Sequence, residues 1–219
     1  MGETINFACP GGGSGSGHLA TAAGARAGIV VIQEWWGLND QIRGVADRFA
    51  AAGYSALAPD LYDGRITQEP DEANHMMSGL DWVGATEVEV QGAVQHLKAS
   101  CDRVAVMGFC MGGALTVIAG VKLPECDAAV CYYGIPPIEQ ADPAAMRVPF
   151  QGHFANQDDW CTPAAADALE TALAGTGAAF EMHRYEAQHG FFNETVAAHD
   201  AAAAALSWER TLAFLGTHL

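Results

Sequence analysis

Basic residues are scarce in this chain. Lysine and arginine together number 10 against 26 aspartates and glutamates, a formal charge of −16 over 219 residues. Sequence-independent binding of DNA or RNA rests on cations that neutralise phosphates, and docking on an anionic bilayer needs the same cations, so neither partner is expected. Long apolar runs are missing as well. No stretch approaches the roughly 18 consecutive apolar residues of a membrane-crossing helix. Met1 to Phe7 contains Glu3 and no basic cluster, and glycine and serine follow where the apolar part of a secretory signal would stand, so the protein is expected in the cytoplasm. Cysteine is sparse and unclustered. Cys9, Cys101, Cys110, Cys126, Cys131 and Cys161 are expected as reduced thiols rather than a disulfide framework. Cys126 and Cys131 lack C-x-x-C spacing and a nearby His. No H-E-x-x-H motif occurs, and no G-x-G-x-x-G follows a strand. The GGGSGSG run at 11–17 lacks the Gly-Lys-Ser/Thr ending of a phosphate-binding loop. Neither a metal nor a cofactor is expected.

What is present is a chain half hydrophobic with 25 glycines, long enough to bury a sizeable core without staples. The length fits one domain, and no linker divides it, so a single domain over 1–219 is expected. The segments 4–7 and 18–23 read as a hairpin, with the glycine run 11–17 as its flexible tip. From residue 28 onward, apolar β-branched runs alternate with helical segments. Strands are expected at 28–33, 54–58, 103–109, 128–133, 148–154 and 180–185, and helices at 40–52, 71–78, 85–99, 112–122, 163–175 and 200–218. Asn39 is the expected N-cap of the first helix, and Gly53 its stop. This alternation means βαβ units, hence an α/β fold with a mostly parallel central sheet and helices on both faces.

The most informative stretch is Gly108-Phe109-Cys110-Met111-Gly112, between a buried strand and a small-residue helix. In a G-x-nucleophile-x-G elbow the turn is so tight that glycine must flank it, and the nucleophile stands at a helix N-terminus, where the dipole and free N–H groups favour an anion. Here the central residue is cysteine, a strong nucleophile once ionised. A base and an orienting acid should follow in chain order. Asp158 and Asp159 stand just past the strand 148–154, and His189 in a loop after the strand 180–185. Cys110, Asp158 and His189 therefore fall at the same edge of the expected sheet. Glu34, beside Trp35 and Trp36 after the first buried strand, is a desolvated carboxylate that could share a proton with a thiol. The Trp35 and Met111 N–H groups are the expected oxyanion donors, and Trp36, Tyr133 and Phe191 candidate walls of the substrate pocket.

The motifs Gln33-Glu34-Trp35-Trp36-Gly37-Leu38, Ala58-Pro59-Asp60-Leu61-Tyr62, Gly108-Phe109-Cys110-Met111-Gly112-Gly113, Tyr132-Tyr133-Gly134 and His189-Gly190-Phe191 together resemble the dienelactone hydrolase family. The resemblance implies an α/β-hydrolase fold and cleavage of lactones or esters by a Cys-Asp-His triad, with Cys110 as nucleophile, His189 as base and Asp158 as its orienter. It also implies that Glu34 takes the thiol proton when substrate binds. Two departures accompany it. The acid is Asp158 counted forward from the strand and Asp159 counted back from Pro163, with Asp158 preferred. The family's arginines for the substrate carboxylate have no sure counterpart: Asn193 stands where one is implied, and Arg65 and Arg184 are the other candidates. The expected protein is thus a cofactor-free hydrolase, monomeric or a small homo-oligomer, acting on a small-molecule lactone or ester. A general carboxylesterase or thioesterase, or a non-catalytic binding member, is the alternative. The acidic surface and Asn193 favour a neutral substrate.

Overall fold

The apolar runs assemble into one eight-stranded sheet in the computed structural model, which describes residues 2–219. In chain order the strands are β1 (Glu3–Ala8), β2 (Ser14–Ala20), β3 (Ala27–Ile32), β4 (Ser55–Pro59), β5 (Arg103–Phe109), β6 (Ala128–Tyr132), β7 (Phe150–Gln157) and β8 (Phe180–Gln188). The helices are α1 (Asp40–Ala51), α2 (Pro70–Gly79), α3 (Trp82–Ala85), α4 (Gln91–Lys98), α5 (Met111–Lys122), α6 (Pro163–Ala174) and α7 (Ala201–His218). Across the sheet the order is β1-β2-β4-β3-β5-β6-β7-β8. From β4 to β8 all pairs are parallel, and the hairpin β1–β2 is appended antiparallel to β4. Among the described residues no helix is long and apolar enough to cross a membrane.

The continuous apolar runs follow from burial on both faces of the sheet. Along β3, Ile29 and Val31 pack with Ile42, Val45 and Phe49 of α1 and with Phe214 and Leu215 of α7. Val30 and Ile32 point the other way, into a layer with Val94 and Leu97 of α4 and Leu115 and Ile118 of α5. A third cluster joins α6 to β6 and β7 through Leu169, Leu173, Ala129 and Phe150. The Asn39 cap forms: its side chain accepts from Ile42 N at 3.1 Å.

Two expectations change. The glycine run is not all turn. Only residues 9–13 make the connection, and Ser14–Ala20 is strand β2, paired on both sides. Its glycines serve close approach: a Cβ on Gly17 would meet the Ala58 carbonyl at 2.5 Å. The helix expected at 85–99 begins earlier, at Trp82, and carries a π turn at Thr86–Val90. There Thr86 Oγ1 donates to Trp82 O at 2.8 Å, a local bond that competes with the regular ladder.

A buried polar network ties α7 to the sheet. His153 is fully buried, with Nδ1 2.8 Å from Tyr185 Oη and Nε2 2.9 Å from Gln151 Oε1 and 3.1 Å from Thr211 Oγ1. Burial, with His183 and Arg210 nearby, holds its pKa well below the ordinary value, so the folded protein keeps it neutral. The unfolded chain takes up that proton below about pH 6.5. Stability from this group is therefore complete above that pH and falls, by at most about 1.4 kcal/mol per pH unit, as pH drops towards the folded pKa. Urea unfolding from pH 7.5 to 5 is expected to show this slope and to lose it in His153→Gln. An equal slope in the variant would assign the acid sensitivity elsewhere.

Candidate active site

The junction of β5 with α5 is an elbow. Cys110 has φ 56° and ψ −118°, a left-handed conformation that a side-chain-bearing residue adopts only when its surroundings hold it there. Its N–H donates to Tyr132 O at 3.0 Å, and its carbonyl accepts from Ala114 N at 3.1 Å. The flanking glycines are steric necessities. A Cβ on Gly108 would collide with the Gly112 carbonyl, and one on Gly112 would meet the Gln33 carbonyl at 2.5 Å. The elbow holds the Cys110 thiol at the first turn of α5, almost entirely buried.

The last two strands of the sheet, β7 and β8, bring the acid and the histidine. β7 runs on to Gln157, three residues past the expected end, so Asp158 leaves directly from its tip. Asp158 Oδ1 accepts from Trp160 N at 2.7 Å and Cys161 N at 2.9 Å, and Oδ2 lies 2.8 Å from His189 Nδ1. Burial pushes this carboxyl up, but the His189 partner and the two backbone donors outweigh it and leave its pKa below the ordinary value. Asp159, the alternative, is exposed and bonds no described residue. On the His189 ring, burial works downward, but Asp158 on one side and Cys110 on the other raise the pKa to about 10. Nε2 is buried and has no ordinary hydrogen-bond partner among the described residues. The Cys110 thiol is pushed up by burial and drawn back down by His189 and by the Met111 N–H. The geometry and these mutual influences bring Cys110, His189 and Asp158 together.

Glu34 follows β3 at the same edge. It is 5% exposed, and Asn193 Nδ2 donates to its Oε2 at 2.7 Å while the Tyr133 hydroxyl donates to Oε1 at 3.2 Å. Desolvation raises its pKa despite these two donors and the His189 charge. Asn193 is thereby more than a missing arginine. Its Oδ1 accepts from Thr195 N at 2.9 Å and Thr195 Oγ1 at 2.6 Å, which turns the amide nitrogen towards Glu34. A polar residue four past the histidine was the available sequence signal. Tyr133, expected as a pocket wall, lines a small space beside Cys110 and, at φ 38°, also donates its hydroxyl to Glu34. Phe191, expected on the pocket, is fully buried against Tyr133 and Tyr185 and lines neither cavity that contains Cys110. It belongs to the core beneath the histidine loop.

Trp35, Trp36, Glu34, Cys110, Trp160 and His189 line a cavity of about 200 Å³, closed on the far side by Val196 and Ala198. A smaller space of about 40 Å³ continues past Cys110 between Met77, Trp82 and Ile135. The Trp35 and Met111 N–H groups bond no backbone carbonyl among the described residues, the latter because it opens α5. Trp160 was not foreseen. Its ring stacks edge-on to Trp35 at 5.5 Å, is 58% exposed, and forms the outer rim beside His189. No Lys or Arg lines either space. Arg184 pairs with Asp167 and Glu170, and exposed Arg65 bonds the Tyr62 carbonyl, so neither candidate reaches the cavity.

A mostly parallel sheet with an elbow cysteine at the tip of its central strand is an α/β-hydrolase architecture. The family is narrower: the model of the dienelactone hydrolase family matches residues 16–219, and the chain belongs to that family. It is 31% identical over 201 residues to carboxymethylenebutenolidase of Pseudomonas putida, covering 85% of this chain and 84% of that one. It is 30% identical over the full length of both chains to protein usf of Aquifex pyrophilus. Among solved structures, a dienelactone hydrolase-like promiscuous phosphotriesterase from metagenomic libraries shares the fold, with a TM-score of 0.85 at 21% identity over 100% of this chain and 98% of that one. The protein is a hydrolase acting on carboxylic ester bonds.

Proposed function

We propose that the protein hydrolyses neutral lactones or esters without a cofactor, through Cys110, His189 and Asp158. The observation that carries this reading is the His189 ring, bonded at Nδ1 to a buried carboxylate and free at Nε2 beside the elbow thiol. At rest the desolvated thiol keeps its proton, and the buried Asp158 carboxylate bonded to Nδ1 favours the imidazolium form of His189. An imidazolium cannot take the thiol proton, so Glu34, with its raised pKa and its place on the cavity wall, is the acceptor. The thiolate attacks the carbonyl carbon, and the Trp35 and Met111 N–H groups receive the oxyanion. As the C–O bond breaks, His189 gives its Nε2 proton to the leaving oxygen. Neutral His189 then takes a proton from water, the hydroxide attacks the thioester, and the expelled thiolate recovers its proton from Glu34. The sum is one ester and one water giving one acid and one alcohol.

Neutral substrates fit because no Lys or Arg lines the cavity, and His189, its one basic group, is already paired with the Asp158 carboxylate. A panel of neutral lactones, simple esters, thioesters and a carboxylate-bearing lactone tests this. The neutral lactones and esters are expected to exceed the carboxylated one in kcat/KM by about tenfold or more, the scale of one unmatched charge contact of about 1.4 kcal/mol. An equal or better rate on the carboxylated lactone would end the neutral reading. Run on Glu34→Gln, the same panel is expected to lose kcat on every substrate, since an amide cannot hold the thiol proton.

A further inference from the structure

The Cys110 thiol stands between two spaces of unequal size. Cys110, His189 and Trp160 line both the chamber of about 200 Å³ and the space of about 40 Å³. A water-sized sphere occupies about 10–15 Å³ of such volume, so the chamber takes about fifteen heavy atoms and the small space about three. The chamber has the open rim: the Trp160 ring is 58% exposed, and Trp36 and Val196 are half-buried. Met77, Met111, Ala114, Tyr133, Gly134 and Cys161, most of the lining of the small space, are buried. Its walls are also pinned. The Trp82 indole Nε1 donates to Met77 O at 3.2 Å, which ties α3 to the end of α2. The Cys161 thiol donates to Tyr133 O at 3.2 Å, and the Tyr133 hydroxyl is bonded to Glu34. A Cβ on Gly134 would collide with the Cys110 carbonyl, so no slack remains on that side. With these polar groups spent and no carboxylate, Lys or Arg in the lining, the small space is apolar.

We propose that the small space is a sieve for the acyl side of the substrate: it holds the acyl hydrocarbon, up to about three carbons beyond the carbonyl, and Met77, Trp82 and Ile135 set that limit. The inference rests on the reading of the Cys110 cavity as the place of hydrolysis, and within it names the substrate as an ester of a short, uncharged acid with a larger alcohol. The order of steps assigns the sides. The alcohol must depart, and water must reach the thioester, before the second step. Both need the open rim, so the alcohol lies in the tryptophan chamber. The acyl group stays on the sulfur through both steps and needs no exit until the end. A longer chain has to displace pinned side chains, the overpacking that close-packed interiors resist. A hydroxylated or charged chain loses its water there and meets no partner.

Two ester series test the sieve. In the first the alcohol is always 4-nitrophenol, and the acyl group runs from acetyl through butanoyl and hexanoyl to octanoyl. In the second the acid is always acetate, and the alcohol runs from methyl through butyl to hexyl. Wild-type kcat/KM is expected to fall about tenfold or more from butanoate to hexanoate, the scale on which an apolar pocket discriminates methylenes, and not to fall along the second series. Ile135→Ala, at a half-buried position, and Met77→Ala, in the buried wall, should each raise the hexanoate-to-acetate ratio about fivefold or more, on the same scale. Each should also raise kcat/KM on hexanoate itself, a gain that a damaged fold does not produce. Ile135→Ala decides alone if Met77→Ala does not fold. A flat or rising acyl profile overturns the proposal, and so does a cut-off confined to the alcohol series or one that neither substitution moves. If no ester of either series is hydrolysed, the reading of the Cys110 cavity fails and the sieve falls with it. Hydrolysis of all the acyl esters alike sinks the sieve alone.

Discussion

Cys110→Ala is expected to lower kcat/KM on any ester or lactone substrate by at least about 10³-fold, since loss of a nucleophile leaves only the binding and oxyanion contributions. The melting temperature should change little, because alanine keeps the Cβ at the strained elbow and removes one sulfur atom at the edge of a cavity. A variant retaining more than about a tenth of the activity would remove Cys110 as the nucleophile, given the scale of such losses. Alkylation is the companion measurement. One equivalent of reagent is expected to abolish activity and to label Cys110 alone. The other thiols are also buried, but burial pushes Cys126 and Cys131 up to about 12 with no histidine to draw them back, and Cys161 higher still. Activity that survives stoichiometric labelling of Cys110 would count against the mechanism.

The second large effect is expected at the acid. Asp158→Asn should cost about 10³- to 10⁴-fold in kcat, the loss typical when an orienting carboxylate becomes an amide and the histidine adopts the wrong tautomer. Two further signs would separate this from general damage. Asp158 is foremost among the groups that raise His189, so the His189 pKa should fall from about 10 towards the ordinary value near 6.5, visible as a titration of its ring resonances. The fall follows from losing a partner that favours the charged ring. Asp159→Asn should stay within about twofold of wild type, the scale of a surface change of ±0.5 kcal/mol, because Asp159 is exposed and bonded to no described residue. Reversed effects in the two variants would move the acid to Asp159.

Much of the fold was legible in the chain because its signals are local. Burial on both faces forces runs such as GIVVIQ and RVAVMGF, and the strand that the latter predicts matches β5 residue for residue. Asn39 acts within one turn of α1, so its cap could be read directly. What failed depends on neighbours far along the chain. The Gly/Ser run reads as a flexible tip until β1 and β4 flank it, after which Gly15 and Gly17 are strand residues under close contacts. Phe191 follows His189 and reads as a pocket wall, yet it turns inward against Tyr185 of β8.

The same division runs through the candidate site. The chain by itself determined the elbow, because glycines two residues to each side of Cys110 are a steric requirement of the turn. It also determined the order of cysteine, aspartates and histidine along strand ends of one edge of the sheet. Only the tertiary structure shows that Asp158 rather than Asp159 bonds His189, since a hydrogen bond to a residue 31 positions away leaves no mark on local spacing. It decided too that Asn193 and Tyr133 converge on Glu34 across 159 and 99 positions. Trp160 beside His189 and the small space past Cys110 emerged in the same way. The physical reason is range: steric and capping rules act between chain neighbours, whereas desolvation, hydrogen-bond pairing and cavity shape depend on what folding brings alongside.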